Sequence, residues 1–289
     1  MNALYCSADG RIFDPLGGIE DLKARRIRFI GDASARIRED YLRILRFLRF
    51  QGAFGRGAID RPGLSAIIRA RHGLKQLSRE RIWSEFSKIL ELENAGVIIA
   101  LMFEHGLLVD VLHGVPNLRR LENLIWNEKH VGAAADAIRR LGALGIFIED
   151  DAGRFGQRFR LSRNQTKRLH IIGRIRPLAI SEMDDQYLKR WIYRAGCRSV
   201  EDHILIAFPQ AVPRDKVERL RDMIDLARDW SRPVFPIRGV DVLEQGIEPG
   251  PDVGRCLIEL EDWWLKADFK PDRAALLARA RRLIMQSGS

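Results

Sequence analysis

Cysteine is scarce in this sequence, and its spacing excludes two common kinds of stabilisation. The 289 residues contain three widely separated cysteines, Cys6, Cys197 and Cys256. An odd and dispersed set forms neither a disulfide framework nor a cysteine metal site, so we expect reduced, buried thiols. The triplet from Glu201 to His203 has no second His-Asp pair at a suitable spacing, and we interpret it as a helix start rather than a metal centre.

Long apolar runs are also missing. No run approaches the ~20 residues that span a bilayer, and the first residues, MNALYCSADGR, do not follow the basic-then-apolar order of a signal peptide. We therefore predict a cytoplasmic protein with no membrane partner. Apolar residues make up 46% of the sequence and charged residues 30%, which predicts a globular protein with a sizeable core.

Acidic residues are sparse in two regions, and positive charge is concentrated there. The formal net charge is +10, and residues 1–90 contain 18 Lys and Arg against 10 Asp and Glu, a net +8. A second region, the basic segment (residues 154–176), carries eight Lys and Arg and no acid. Because each neutralised phosphate releases counterions, this charge predicts a polyanion partner, nucleic acid first, with a merely solvated surface as the alternative.

The first 31 residues have a β-like pattern. Three short, partly alternating runs, at residues 2–6, 11–15 and 26–31, are separated by turn-forming stretches. Three short strands do not form a stable sheet without further strands or a covering helix. We therefore interpret this region as the end of a β domain that begins outside the sequence.

From about residue 33 onward the apolar spacing is helical. Gly- and Pro-containing stretches such as GAFGRG, HGVPN and SRPVFP divide this part into many helices of roughly ten to fifteen residues. The predicted fold class is mainly α, with remnant β strands followed by an elongated all-α region.

The stretch REDYLRILRFLRF, residues 38–50, has two contrasting faces when it is placed on one helix at about 100° per residue. One face collects the apolar residues Tyr41, Ile44, Leu45 and Leu48. The opposite face carries Arg43, Arg46, Arg49, Phe47 and Phe50 and ends beside Asp40. A solvated face rarely places phenylalanines between arginines, so we expect protein or a flat ligand to cover this side.

Asp40 and Arg43 lie three residues apart, which makes them neighbours on such a helix. An ionised Asp only accepts hydrogen bonds, and an Arg only donates them. Cytosine and adenine each present an amine beside an unprotonated ring nitrogen and match this pair, whereas uracil and guanine do not. The alternative is an ordinary helix with an i,i+3 salt bridge and acids near its N-terminus.

Five motifs in order resemble those of the class II tRNA nucleotidyltransferases, which include the bacterial CCA-adding enzymes and the related bacterial poly(A) polymerases. NALY is similar to the end of the family's R-R-D-F-T-x-N-A-L motif, and DPLGGIEDL to its D-x-x-x-G-x-x-D-L motif. EDYLRILRFLRF resembles the E-D-x-x-R-x-x-R motif that acts as a protein template for C and A. SRERIWSEF and FPIRGVDVL...GPDVG are also similar to family segments.

The resemblance implies roles for ten residues. Those expected to bind the nucleotide are Asp40, Arg43, Arg46 and Arg49. Those expected to support the site are Glu39, Asp14, Gly17, Asp21, Arg81 and Glu85. Asp14, Gly17 and Asp21 are interpreted as hinge and structural residues, and the i,i+4 pair Arg81 and Glu85 is expected to brace a helix.

The resemblance also implies a domain order. Residues 1–31 are predicted to be part of a nucleotidyltransferase head, 32–110 a helical neck with the nucleotide-selecting motif, 111–231 a helical body and 232–289 a helical tail.

One departure from the family concerns catalysis. The Asp-x-Asp that holds two metal ions in the family is absent from the strand-like region, and we expect the catalytic residues upstream of Met1. The complete enzyme would use Mg²⁺, ATP and CTP to extend a tRNA or other RNA 3′ end, while this chain alone is predicted to be inactive and to hold no metal. The alternatives are a poly(A) polymerase of the same family and a noncatalytic RNA-binding helical protein.

Overall fold

A computed structural model describes residues 4–175, 183–208 and 214–287, and these are mostly helical. The first elements are two short antiparallel strands, β1 (Tyr5–Cys6) and β2 (Ile12–Phe13), with Tyr5 opposite Phe13. The mainly α fold class predicted from the sequence is confirmed.

The helices follow in chain order. Up to residue 112 they are α1 (Gly18–Lys23), α2 (Ala33–Glu39), α3 (Leu42–Phe54), α4 (Arg61–Ala70), a 3₁₀ helix (Arg71–Gln76), α5 (Arg79–Leu90), α6 (Ala95–Glu104) and α7 (Leu107–Leu112). The middle helices are α8 (Leu118–His130), α9 (Ala137–Gly145), α10 (Glu149–Phe159), α11 (Arg163–Gly173), α12 (Asp185–Ala195) and α13 (Cys197–Ala207). The last are α14 (Arg214–Asp229), α15 (Gly239–Leu243), α16 (Pro251–Lys266) and α17 (Arg273–Ser287).

The N-terminal region differs from the β-like prediction. Residues 26–30 form no strand, and residues 18–23, predicted as part of a turn, form α1. The run RIRFIG alternates like a strand, but within the described residues it forms no strand ladder: Phe29 stacks on Phe47 of α3, and Arg26 and Arg28 pair with Asp21 of α1. The alternating pattern of this run therefore reflects the contacts of its side chains with α1 and α3, not strand pairing.

Short polar side chains start many of the helices. Asp32 accepts a hydrogen bond from the Ala35 amide at 2.6 Å, and Ser162 forms a capping box with Gln165 at the start of α11. These side chains satisfy amides that have no partner within the helix. The predicted interruptions GAFGRG, HGVPN and SRPVFP coincide with the ends of α3, α7 and α14.

The chain forms two compact units over its described residues. The first unit is Met1–Leu178 with Asp202–Arg221, and the second is Ala179–Glu201 with Asp222–Ser289. The second has a core of aromatic and aliphatic residues, which includes Tyr193, Cys256, Leu260, Trp264 and Leu276. The predicted boundaries after residues 31, 110 and 231 remain predictions.

A buried ionic network stabilises the first unit. Glu128 on α8 accepts hydrogen bonds from Arg139 and Arg140 on α9, each at 2.8 Å, and all three side chains are buried. Arg168 on α11 donates to Asp202 on α13 at 2.5 and 2.6 Å. Although burial lowers the pKa of Arg168, its hydrogen bonds and charge interaction with Asp202 raise that pKa above the usual value. The network therefore connects four helices by charge-assisted bonds.

Two sequence interpretations need correction here. Glu201 to His203 was expected to start a helix, but these residues lie inside α13, where Asp202 is buried against Arg168. Of the three free cysteines, Cys256 is buried as expected, whereas Cys6 and Cys197 are exposed. Among the described residues, no helix is long and apolar enough to cross a membrane.

Replacing Glu128 with alanine should destabilise the first unit, because the buried Arg139 and Arg140 would lose the carboxylate that they share, although Arg139 keeps a 3.5 Å contact with Asp202. Breaking a buried pair in this way costs about 3–5 kcal/mol, which corresponds to a fall in melting temperature of roughly 10 °C. Scanning calorimetry measures the change. Glu122→Ala, at an exposed position on the same helix, is the matched control, and equal melting temperatures for the two variants would contradict this account.

Candidate functional site

A cleft of about 860 Å³ is lined by the N-terminal segment (residues 4–30), α2 and α3. Its cationic lining consists of Arg25, Arg26, Arg28, Arg36, Arg43 and Arg46. Its aromatic lining consists of Phe29, Phe47, Phe50 and Phe54. The only carboxylate among the lining residues is Asp21. This combination suits an anionic ligand with a flat ring, since guanidinium groups pair with phosphates and stack on aromatic faces.

Asp14 and Gly17 shape the start of α1 beside the cleft. The Asp14 carboxylate accepts the amide hydrogens of Gly18 at 2.7 Å and Ile19 at 2.9 Å, and these backbone bonds lower the pKa of Asp14 despite the opposing effect of desolvation. Gly17 has φ 71°, a left-handed conformation that favours glycine. Both residues therefore have a structural explanation.

Asp21 organises two of the cleft arginines. Its carboxylate accepts from Arg26 at 2.7 Å and from Arg28 at 2.6 Å. Burial raises the pKa of Asp21, but the hydrogen bonds and charges of the two arginines outweigh it and lower that pKa. Arg26 and Arg28 are therefore already partly neutralised, and they offer less charge to a ligand than their number suggests.

Asp40 lies at a break between two helices, so the single helix predicted through this residue is wrong. Its backbone is extended, with φ −158° and ψ 106°, between α2 and α3. The Asp40 carboxylate accepts the amide hydrogen of Leu42 at 3.1 Å, which favours the break by satisfying an amide at the start of α3. The ring of Tyr41 packs so closely on Gly73 that a Cβ at position 73 would overlap it.

The structure separates the two side chains that were predicted to read a base. Both oxygens of Asp40 contact Arg81 Nη2, at 3.0 and 2.9 Å. Arg43 Nη1 instead donates to Glu39 at 2.7 Å and to the carbonyl oxygen of Arg36 at 2.8 Å. Arg43 lines the cleft, whereas Asp40 is not among its lining residues.

Glu39 therefore acts on Arg43 rather than on Asp40. The hydrogen bond from Arg43 is the main reason that the pKa of Glu39 is lowered; desolvation opposes it, and Arg36 adds to it. An ionised Glu39 fixes Arg43 through one nitrogen. The Nε and Nη2 atoms of Arg43 have no hydrogen-bond partner among the described side chains and backbone groups, so they can donate into the cleft.

Glu85 is buried where α5 packs against α3. Its side chain is 5% exposed and accepts from Arg49 Nε at 2.7 Å and from Arg46 Nε at 3.3 Å. The i,i+4 spacing of Arg81 and Glu85 predicts a pair within α5, but neither residue pairs with the other. Each instead forms its ion pair with residues 40–49, because the buried Glu85 requires counter-charges from α3.

The aromatic side of α3 is covered partly by protein. Phe47 is buried and stacks on Phe29, with ring centroids 5.1 Å apart and planes 11° apart. The Arg49 guanidinium lies 4.4 Å from the centroid of Phe50, and Phe54 remains half exposed at the cleft. The expectation that protein or a ligand covers this face holds for Phe47, while Phe50 and Phe54 are available to a ring-containing ligand.

Sequence reasoning missed several lining residues, among them Arg25, Arg36 and Phe54. Arg25 makes no ion pair in the part of the chain that the structure describes, so its charge is available to the cleft. The excess of basic residues in the first third of the chain was a signal for Arg25 and Arg36. No sequence pattern indicated that the segment containing Phe29 would lie against α3.

The basic segment is not one uniform surface. Arg158 donates to the carbonyl oxygens of Asp110 and Val111, and Arg168 is committed to the buried network. Arg163 and Lys167 are exposed, and no ion-pair partner for either occurs within the described ranges. Arg176 lies outside the described residues. Arg158 and Arg168 are therefore structural, and three further cations, Arg154, Arg160 and Arg174, form ion pairs with acids outside the segment. Arg163 and Lys167 are available to a polyanion.

No group of three or more His, Cys, Asp or Glu side chains suited to a metal ion occurs in the described part of the chain. Asp21, the carboxylate in the cleft lining, is already paired with two arginines. The described residues of this cleft therefore do not fit a magnesium site.

Comparison with known proteins identifies relatives over nearly the whole chain. A family model described as "Probable RNA and SrmB- binding site of polymerase A" matches residues 58–119. The mitochondrial CCA tRNA nucleotidyltransferase 1 of Danio rerio is 31% identical over 284 residues, which cover 96% of this chain and 64% of that protein. The chain spans 64% of the length of each of the vertebrate relatives that it matches.

Two solved structures have a similar fold. The CCA-adding enzyme of Bacillus stearothermophilus in complex with CTP has a TM-score of 0.70 and 24% identity, covering all of this chain and 73% of that one. The Thermotoga maritima CCA-adding enzyme in complex with tRNA has a TM-score of 0.64 and 20% identity, covering 94% and 68%. The resemblance identified from the motifs is confirmed: the chain is similar in sequence and in fold to CCA-adding enzymes.

Removing Glu85 should loosen the packing of α3 against α5, because Arg46 and Arg49 would lose their shared counter-charge. Loss of one partner from a buried pair costs about 3–5 kcal/mol, and we expect the lower end because Arg46 is 46% exposed. Urea denaturation of Glu85→Ala measures the loss, with Glu91→Ala, at the exposed end of α5, as the control. A free energy of unfolding within about 0.5 kcal/mol of the control would contradict the role of Glu85.

Proposed function

We propose that this relative of the CCA-adding enzymes is the nucleotide-selecting and RNA-binding part of a tRNA nucleotidyltransferase. The whole protein would add C and A to tRNA 3′ ends from CTP and ATP without a nucleic-acid template. The observation that carries the proposal is the cleft in which Arg43 projects among arginines and phenylalanines, beside the motif that contains Asp40.

Selection of the base would use Arg43 as the donor and Asp40 as the acceptor. In cytosine and adenine an exocyclic amine lies next to an unprotonated ring nitrogen, so the amine donates to Asp40 while the ring nitrogen accepts from Arg43. Uracil and guanine would place a carbonyl against the Asp40 carboxylate. A mispaired polar group at a buried site costs about 1–3 kcal/mol, which is enough to discriminate between bases.

The triphosphate would be bound by the cleft cations that are not fully neutralised. Arg25 has no ion-pair partner in the described ranges, and Arg46 is half exposed with a long, 3.3 Å contact to Glu85. Arg49 is more strongly committed, since it is 21% exposed and lies 2.7 Å from Glu85. Arg46 is therefore the better phosphate ligand of the two, and Arg49 would position α3 and support Phe50.

Magnesium remains part of the proposal for the whole protein only. The residues of this chain would bind, orient and select the nucleotide. A cytoplasmic location also remains a prediction.

Two related functions make different predictions. A poly(A) polymerase would add A but not C to an RNA end, and the matched family description names polymerase A. A noncatalytic RNA-binding protein would bind tRNA without distinguishing nucleotides. The products formed from CTP and ATP by the polypeptide isolated from its source cells separate these three functions.

Arg43→Ala should weaken binding of CTP and ATP about tenfold to a hundredfold, because the variant loses the donor to the ring nitrogen. Binding of UTP and GTP should change little. Isothermal titration with all four nucleotides measures both effects, and Arg38→Ala, an exposed arginine on α2 outside the cleft lining, is the control. If the unmutated protein binds all four nucleotides equally, the selection mechanism is wrong.

Replacing Arg163 and Lys167 together with glutamine should weaken tRNA binding and reduce its salt dependence. If each cation contacts one phosphate, the slope of log affinity against log salt should fall by about 1.5 to 2. Filter binding at several salt concentrations measures it. The double variant Lys129→Gln and Lys216→Gln removes two exposed charges elsewhere, and an equal effect of both double variants would refute a specific contact at α11.

A further inference from the structure

The ion pair between Asp40 and Arg81 occupies the group that the proposed selection mechanism needs. One nitrogen of Arg81 contacts both carboxylate oxygens of Asp40. Arg81 comes from the first turn of α5, 41 residues further along the chain. The pair therefore joins the break between α2 and α3 to α5, at the position where a base would be read.

Arg43, the donor of the proposed base-reading pair, is only partly occupied by protein groups. Arg43 is fixed by Glu39 through Nη1 alone and lines the cleft, with Nε and Nη2 available there. The donor is thus in place for a ligand, while the acceptor is bound to Arg81 and is not among the lining residues. Of the two side chains proposed to read the base, Arg43 is therefore positioned at the cleft in this structure, and Asp40 is not.

Resting on the function proposed above, we propose that Arg81 is a latch that competes with the incoming base for Asp40. A base with an exocyclic amine can replace the guanidinium, because both groups donate hydrogen bonds to the carboxylate. A base with a carbonyl at that position cannot, and the latch stays closed. Arg81 is therefore a positioning residue that contributes to specificity without touching the nucleotide.

The exposure of the pair makes the exchange feasible. The Arg81 side chain is 48% exposed and that of Asp40 is 25% exposed. Water can therefore solvate Arg81 once it is released, unlike an arginine in a buried pair. Exposed pairs contribute little, so the closed latch lowers the apparent affinity for cognate nucleotides only about two- to fivefold.

Arg81→Ala tests the latch in the full-length polypeptide. The affinity for CTP and ATP should rise about two- to fivefold, because no cation then competes with the base for the Asp40 carboxylate. The affinity for UTP and GTP should stay the same. Arg79→Ala removes an exposed arginine two residues earlier on the same helix, which donates a hydrogen bond to the carbonyl oxygen of Gln157. It should leave all four affinities unchanged.

A double-mutant cycle with Asp40→Asn provides a second readout, because removing Arg81 should give no gain once the carboxylate is gone. Arg81→Gln removes the charge but keeps a polar side chain, and it should also raise the affinity for CTP and ATP. This variant replaces the alanine variant in the test if the latter does not fold. Unchanged or weaker CTP and ATP binding in a folded variant would overturn the latch. If the unmutated protein does not distinguish the four nucleotides, the proposed function itself fails.

Discussion

A buried carboxylate is the constraint on which the geometry of this site depends. Glu85 lies inside the contact between α3 and α5, where its charge requires Arg46 and Arg49. These two bonds fix the rotation of α3 about its axis, which turns Arg43 towards the cleft. Arg81, one helical turn before Glu85, then lies within reach of Asp40. Helix α5 thus positions α3 through Glu85 and holds the Asp40 carboxylate in an ion pair through Arg81.

The local part of this arrangement could be predicted from the sequence. The spacing of Ile44, Leu45 and Leu48 indicated their buried face, and all three are fully buried. The excess of arginine indicated an anionic partner. The Gly- and Pro-rich interruptions located many helix ends, because they change the backbone conformation where they occur and need no distant partner.

The long-range part could not be predicted. No proline or glycine occurs from Arg38 to Phe50, so nothing in the local sequence showed that the chain breaks at Asp40. Tyr41, which follows the break, packs on the distant Gly73, and the partner of Asp40 lies on α5. Charge spacing was similarly ambiguous, since Arg168 in the basic segment is a structural residue whereas its neighbour Lys167 is exposed.

The contact between Tyr41 and Gly73 has an evolutionary consequence. Because a Cβ at position 73 would overlap the Tyr41 ring, a lineage that keeps an aromatic residue at 41 is confined to glycine at 73. A larger residue at 73 becomes acceptable only after the ring has been replaced by a smaller side chain. The two positions are therefore expected to change together and in a fixed order, which links the history of the motif that contains Asp40 to a 3₁₀ helix outside the cleft lining.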